Sequence, residues 1–247
     1  MGVFTHCTDF QICNFAAMSQ LQLLKRIGYS NVYTLDDDAS AFFYEAGMAI
    51  DADGGYHAYN PDGASGLDYL GNAGKPGDWW ALVTDNGQPD GNPIIQDASD
   101  PAPGFYVSTT SLEDPGESVD DPRRYVNAEA INFFVLPGKS SFGAKLDDFG
   151  VVIRPETGQW DYAVYADIGP ANQIGEASIA LASALGINSN PRNGGAGHGI
   201  LYIVFPGSKQ GWPLSQAQID QYGAAAFAKW GGIEKARAWS PDLPWNT

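Results

Sequence analysis

The chain has 247 residues, 44% of them hydrophobic, with 29 acidic against 13 basic side chains and a formal net charge of −16. That length and apolar content support one compact unit with a sizeable core. The charge would repel phosphate backbones, so nucleic acid is excluded as an expected partner, and no apolar run approaches the ~18–20 residues of a membrane span. No charged-then-apolar leader is visible, which suggests a mature protein opening at Met1. The acidic surplus has two readings: attraction of a cationic substrate, or simple solubility.

In chain order, "AAMSQLQLLKRIGY" carries Leu21, Leu24 and Ile27 at helical spacing with Gly28 near the stop, so residues 1–34 read as an N-terminal helical extension. Residues 35–247 read as the main β-rich domain. Phe42–Ile50 reads as strand broken at Gly47, and Asp51–Gly55 as a turn. "WWALVTDNGQPDGNPIIQ" suggests a hairpin of strands 79–84 and 93–96, and "GFYVSTTSL" a further strand. "INFFVLP" is a nearly continuous apolar strand. "FGVVIRPETGQWDYAVYADIG" is the clearest hairpin, pairing 149–153 with 160–166. A helix then carries Ile179, Leu181, Ala182 and Leu185, with Gly186 as its terminator. "GILYIVFPGS" is another buried strand, and a last helix begins at the capping Ser215. Strands outnumber helices and most are not joined by them. The expected fold is therefore β-rich α+β, a single domain built as a β-barrel or strongly curved sheet with a few packed helices.

Two carboxylates stand out. Alternation along 160–167 puts Asp167 at a strand mouth on the same side as Tyr165, while Glu176 follows Gly175 in what reads as the first turn of a helix. Facing each other across a cleft, such a pair suits acid–base cleavage of a glycosidic bond. The bland alternative is a helix cap and a turn residue. A helix start would also depress the pKa of Glu176, whereas a general acid needs it raised by burial or by a neighbouring charge. "IDADGGYHAY" offers Asp51 and Asp53 for ammonium groups and Tyr56 and Tyr59 for stacking on sugar. Trp79 and Trp80 could stack too, or serve as core. A D-x-D-G turn can bind calcium, but the later EF-hand ligands are missing. Cys7 and Cys13 could close a small disulfide loop in an oxidising compartment. The scattered His6, His57 and His198 form no zinc motif. "NPRNGGAGHG" lacks a phosphate-loop ending and reads as a flexible substrate-side loop or a plain connection.

"DYAVYADIGPANQIGEASIALASAL" followed by "GILYIVFPGS", with "AIDADG", "INFFVLPG" and "FGVVI" in order, resembles the glycoside hydrolase family 75 chitosanases over roughly residues 41–208. The resemblance implies endo-acting, inverting hydrolysis of β-1,4 bonds in chitosan. Asp167 and Glu176 become the essential carboxylates, Glu176 as acid and Asp167 as base. No cofactor or metal is implied. It makes Asp51, Asp53 and the Asp36–Asp38 run subsite candidates for a cationic aminosugar polymer. A secreted, monomeric enzyme is expected; the alternative is a non-catalytic, lectin-like carbohydrate-binding protein.

Overall fold

The computed structural model describes residues 19–246. Cys7, Cys13, His6 and the first part of the expected helix lie outside them. The remainder of that helix is instead a hairpin. Strands β1 (Leu21–Ile27) and β2 (Ser30–Leu35) pair antiparallel from Leu21 opposite Leu35 to Ile27 opposite Ser30. The chain reverses at Gly28, whose φ of +57° suits glycine. Only Ile27 of β1 is buried, so the apolar helical stripe had nothing to pack against. A short helix is marginal without such packing, and the pairing with β2 prevails.

Strand β3 (Phe42–Asp51) opens the main sheet and runs through Gly47 without a break, contrary to expectation. The glycine has another cause: a Cβ there would lie 2.5 Å from the Ala196 carbonyl oxygen, where β10 crosses irregularly. After β3 comes a long excursion, residues 52–132. It holds the two-residue strands β4 (Gly74–Lys75) and β5 (Asp78–Trp79) and two single 3₁₀ turns. The hairpin and strand expected here reduce to single bridges, Leu82 with Ser108, Thr84 with Pro93 and Ile95 with Tyr106. A few main-chain bonds join these segments, and side-chain bonds supplement them: Asp85 takes the Asn92 N–H at 3.0 Å and the Thr84 hydroxyl donates to the Gln88 carbonyl at 2.7 Å. Short polar side chains compete with sheet hydrogen bonding in this way.

The remaining elements are β6 (Phe133–Pro137), β7 (Phe149–Arg154), β8 (Gln159–Gly169), β9 (Glu176–Ser178), α1 (Ile179–Ala184), β10 (Ala196–Val204), α2 (Gln216–Trp230) and α3 (Gly232–Trp239). Six strands close into a barrel in the order β3-β10-β7-β8-β6-β9 and back to β3, with β1 and β2 continuing outward from β3. The pairs β3–β9 and β6–β8 are parallel and the rest antiparallel. All six strands point apolar residues inward: Phe42, Tyr44, Phe134, Val152, Tyr165, Ala177 and Tyr202 share one buried cluster with Leu181 and Leu185 of the α1 region. On the outside, Phe227 and Trp230 of α2 cover Phe43, Val151, Ile153 and Ile203. Helix α2 starts with a capping box between Ser215 and Gln218. Gly223 lets it approach the Tyr162 side chain, where a Cβ would come within 2.7 Å of the Tyr162 Cβ and 3.0 Å of its ring. Among the described residues no helix is long and apolar enough to cross a membrane.

Candidate active site

A cleft of about 750 Å³ lies against the outer wall of the barrel. Its floor comes from β3, β6, β8 and β9, and its sides from the 52–132 excursion and the 191–194 loop. The register of the strands explains why acids gather there. Glu176 pairs with Ala49 on one side and Val135 on the other, and Val135 also pairs with Asp167. Asp51 pairs with Ser178, two residues on from Glu176. Paired residues share a face of a sheet, so Asp51, Glu176 and Asp167 stand together on the outer side. Asp167 and Glu176 are two strands apart, roughly 9–10 Å between Cα atoms.

Two expectations are corrected by this register. Alternation put Asp167 on the side of Tyr165. The structure has a bulge: Phe134 pairs with Tyr165 but Val135 pairs with Asp167. The extra residue turns Tyr165 into the barrel, stacked on Phe134 with ring centroids 5.8 Å apart, and turns Asp167 outward. Glu176, for its part, is not in a helix. It begins β9, and α1 starts three residues later behind Ser178, whose side chain accepts the Leu181 N–H. The helix dipole therefore does not hold Glu176 ionised.

Burial decides its protonation instead. It lifts the Glu176 carboxyl from 4.5 to about 7, with further contributions from the negative charges of Asp167 and Asp68 and no hydrogen bond to oppose them. Asp167 is also raised by burial. It differs in having donors: Ser111 gives its main-chain N–H at 2.8 Å and its hydroxyl at 2.6 Å to the same carboxylate oxygen, and these favour the ionised form. Both carboxyls of the cleft are raised, but the Ser111 donors oppose the rise at Asp167 while no hydrogen bond opposes it at Glu176. Beside Glu176, a Cβ on Gly169 would stand 3.3 Å from its Oε2 and 3.0 Å from Val135 Cγ1. The glycine lets this part of β8 lie close against Glu176, where a side chain would crowd the carboxyl.

Of the other expected site residues, Asp51, Asp53, Tyr59 and Trp80 line the cleft. Asp51 takes the Asp53 N–H at 2.7 Å, and Asp53 takes the Tyr59 hydroxyl at 2.7 Å. Burial raises both carboxyls well above the usual range, helped by each other or by Asp167 and Glu176. Tyr59 is buried, so it holds Asp53 rather than offering a face. Trp80 is 60% exposed and ties its indole N–H to the Asn72 carbonyl at 2.9 Å, which fixes an open aromatic surface on the rim. Trp79 and Tyr56 do not line the cleft. Trp79 is buried with Ala73 and Leu82, the core alternative. The Tyr56 carbonyl accepts from Gln96 at 2.7 Å. The Asp36–Asp38 run lies away from the cleft: Asp36 takes the Gln20 N–H, and Asp38 pairs with Lys235 at 2.6 Å. Burial would raise Asp38, but Lys235 and Ser40 outweigh it and hold it at about 2.

Sequence reasoning missed Ser111, Asp68, Asn72 and Arg192. Asp68 is buried on the cleft wall, with both oxygens taking the Asn72 amide at 3.0 and 2.9 Å. Arg192, the one cation among the lining residues, donates to the carbonyls of Gly66 at 2.6 Å and Ala64 at 2.9 Å and lies 4.8 Å over the Tyr69 ring. It rivets the 191–194 loop to the excursion, so that "NPRNGG" forms a cleft wall. Arg192 sits in the glycine-rich loop singled out from sequence, but Ser111, Asp68 and Asn72 sit in no motif, because their place depends on where the excursion meets the barrel. Among the described residues no group of three or more His, Cys, Asp or Glu is arranged to hold a metal ion.

No curated protein matches the chain. A family model described as fungal chitosanase of glycosyl hydrolase group 75 matches residues 118–233. That span runs from before β6 to the start of α3 and holds both Asp167 and Glu176, while the Asp51–Asp53 turn lies outside it. The family resemblance is thereby shown: over residues 118–233 this chain carries the sequence pattern of the group 75 chitosanases, which supports a glycoside hydrolase acting on chitosan.

Proposed function

We propose that the protein is an endo-acting chitosanase that inverts the anomeric centre, with Glu176 as general acid and Asp167 as general base. The observation that carries this reading is the contrast between the two carboxylates: Glu176, half-buried and without donors, has its carboxyl raised to about 7, while Asp167 is bonded to Ser111 in a form suited to activating water. Inversion needs the carboxyls about 6.5–9.5 Å apart, with room for a water. A Cα spacing of two strands agrees with that. Glu176 would protonate the leaving oxygen as Asp167 takes a proton from the attacking water. Asp51, Asp53 and Asp68 would meet the ammonium groups of the polymer, and Trp80 would stack on a sugar face. The open-sided cleft suits cutting within a chain. Export and a monomeric state belong to the same reading.

The test is reducing-end release from chitosan. Glu176→Gln and Asp167→Asn should each lose about 10²–10⁴-fold in turnover with an unchanged circular dichroism spectrum. The first product seen by proton NMR should be the α-anomer. Near-normal turnover in either variant removes its residue from the mechanism, and a β-anomer removes inversion. Binding of chitosan without new chain ends would favour the lectin-like alternative.

A further inference from the structure

A second cavity, of about 860 Å³, opens at the barrel mouth beside the cleft and shares the wall residue Ile168 with it. Its chemistry is the reverse. Lysine is seven of the 247 residues, yet Lys25, Lys139, Lys145 and Lys209 are four of the thirteen that line this cavity, and no carboxylate lines it. None of the four is in an ion pair among the described residues. In a chain of net charge −16, free ammonium groups would be expected to lie beside carboxylates.

The lysines are brought together by a built framework. Asp148, fully buried, accepts the main-chain N–H of Lys145 at 2.8 Å with one oxygen and that of Lys209 at 3.0 Å with the other. It therefore clamps two segments 64 positions apart onto one rim. Lys25 crosses from the β1–β2 hairpin and donates to the Ser140 hydroxyl at 2.5 Å. Asp147 lies behind the rim and accepts the Gly211 N–H at 2.6 Å. Asp148 is spent on main-chain donors, and Asp147 keeps one oxygen without a hydrogen-bond partner and feels the charge of Lys209, yet neither carboxylate lines the cavity or forms an ion pair with its lysines among the described residues.

We propose that this cavity binds an oxyanion of at least two charges, a phosphate or sulfate group, free or carried as an ester on a sugar. Lysines act as point charges toward tetrahedral oxyanions, and the lining has no arginine fork to prefer a planar carboxylate. Ser140 and Ser141 add hydroxyl donors. The volume exceeds what a bare ion needs and falls in the range of small-ligand sites. The site is independent of the carboxylate chemistry next door.

The experiment is calorimetric titration at low ionic strength with inorganic phosphate and, separately, glucose 6-phosphate. Both should bind, and more weakly as salt is added. Lys139→Glu combined with Lys145→Glu should weaken binding at least tenfold. Lys75→Glu combined with Lys229→Glu makes the same change in net charge elsewhere and should stay within about twofold of wild type. Tighter binding of the ester than of phosphate points to a sugar-borne group, and equal binding to the free ion. No binding to the wild type, or equal loss in both double variants, overturns the proposal. Chitosan cleavage by Lys139→Glu/Lys145→Glu should be unchanged, so failure of this site and failure of the cleft mechanism read out separately.

Discussion

The inside and the outer wall of this barrel are made by neighbouring residues of the same strands, yet they are chemical opposites. Ile50, Ala177 and Phe134 face inward, while Asp51, Glu176 and Val135 beside them face the cleft. The interior is aromatic and close-packed, with Tyr44 and Tyr202 stacked at 4.8 Å. The wall crowds four acids whose carboxyls are all raised by burial. Like charges held this close oppose folding, and the difference implies that the rigid interior supplies the stability against which the wall is strained.

The largest expected effect breaks the interior side of that comparison. Phe134→Ala removes a fully buried ring stacked on Tyr165 and should cost about 3–5 kcal/mol, read as a fall in denaturant midpoint. A loss below 1 kcal/mol would mean the interior is not the source of stability.

Next comes the wall. Glu176 has its folded-state pKa raised from 4.5 to about 7, so the folded protein binds the proton more tightly than the unfolded chain. Below about pH 4.5 the group is protonated in both states and has no effect. Stability then falls as the pH rises toward 7 and is level above it, a cost on the order of 2–3 kcal/mol. Glu176→Gln should therefore be inactive yet more stable than wild type at pH 8 by up to that amount, with the gain gone at pH 4. Equal stability at both pH values would contradict the strain.

Smaller changes sharpen the division of roles. Ser111→Ala removes the hydroxyl bond to Asp167 and leaves the main-chain one. Asp167 should ionise at higher pH, moving the acidic limb of the rate profile upward and lowering turnover about tenfold. Gly169→Ala puts a methyl against Glu176 Oε2 and should lower kcat several-fold with little change in melting temperature. Least of all, Asp68→Asn takes a negative charge away from Glu176. The acid then gives up its proton earlier, and the basic limb should move down by less than one pH unit. An upward shift would remove Asp68 from the tuning of the acid.

Much was legible from the sequence because local periodicity carried it. The apolar run at Phe133–Pro137, the β7–β8 hairpin, the strand ending at Val204 and the Ser215-capped helix stand where alternation and capping residues put them, and the β-rich character followed. Asp167 and Glu176 were legible as acids near the ends of regular segments. What the tertiary structure alone decided was register and enclosure. The bulge that turns Asp167 outward, the pairing of Val135 with both acids, and the strand rather than helix at Glu176 depend on which strand lies beside which. The helical stripe of β1 gave way to a partner strand for the same reason. Ser111 and Asp68 come from an irregular excursion and Arg192 from the loop riveted to it, and single hydrogen bonds rather than a repeating pattern fix their paths. Sequence specifies which groups can ionise; only burial and neighbouring charge, set by the closed barrel and its covering loops, decide which of them hold a proton.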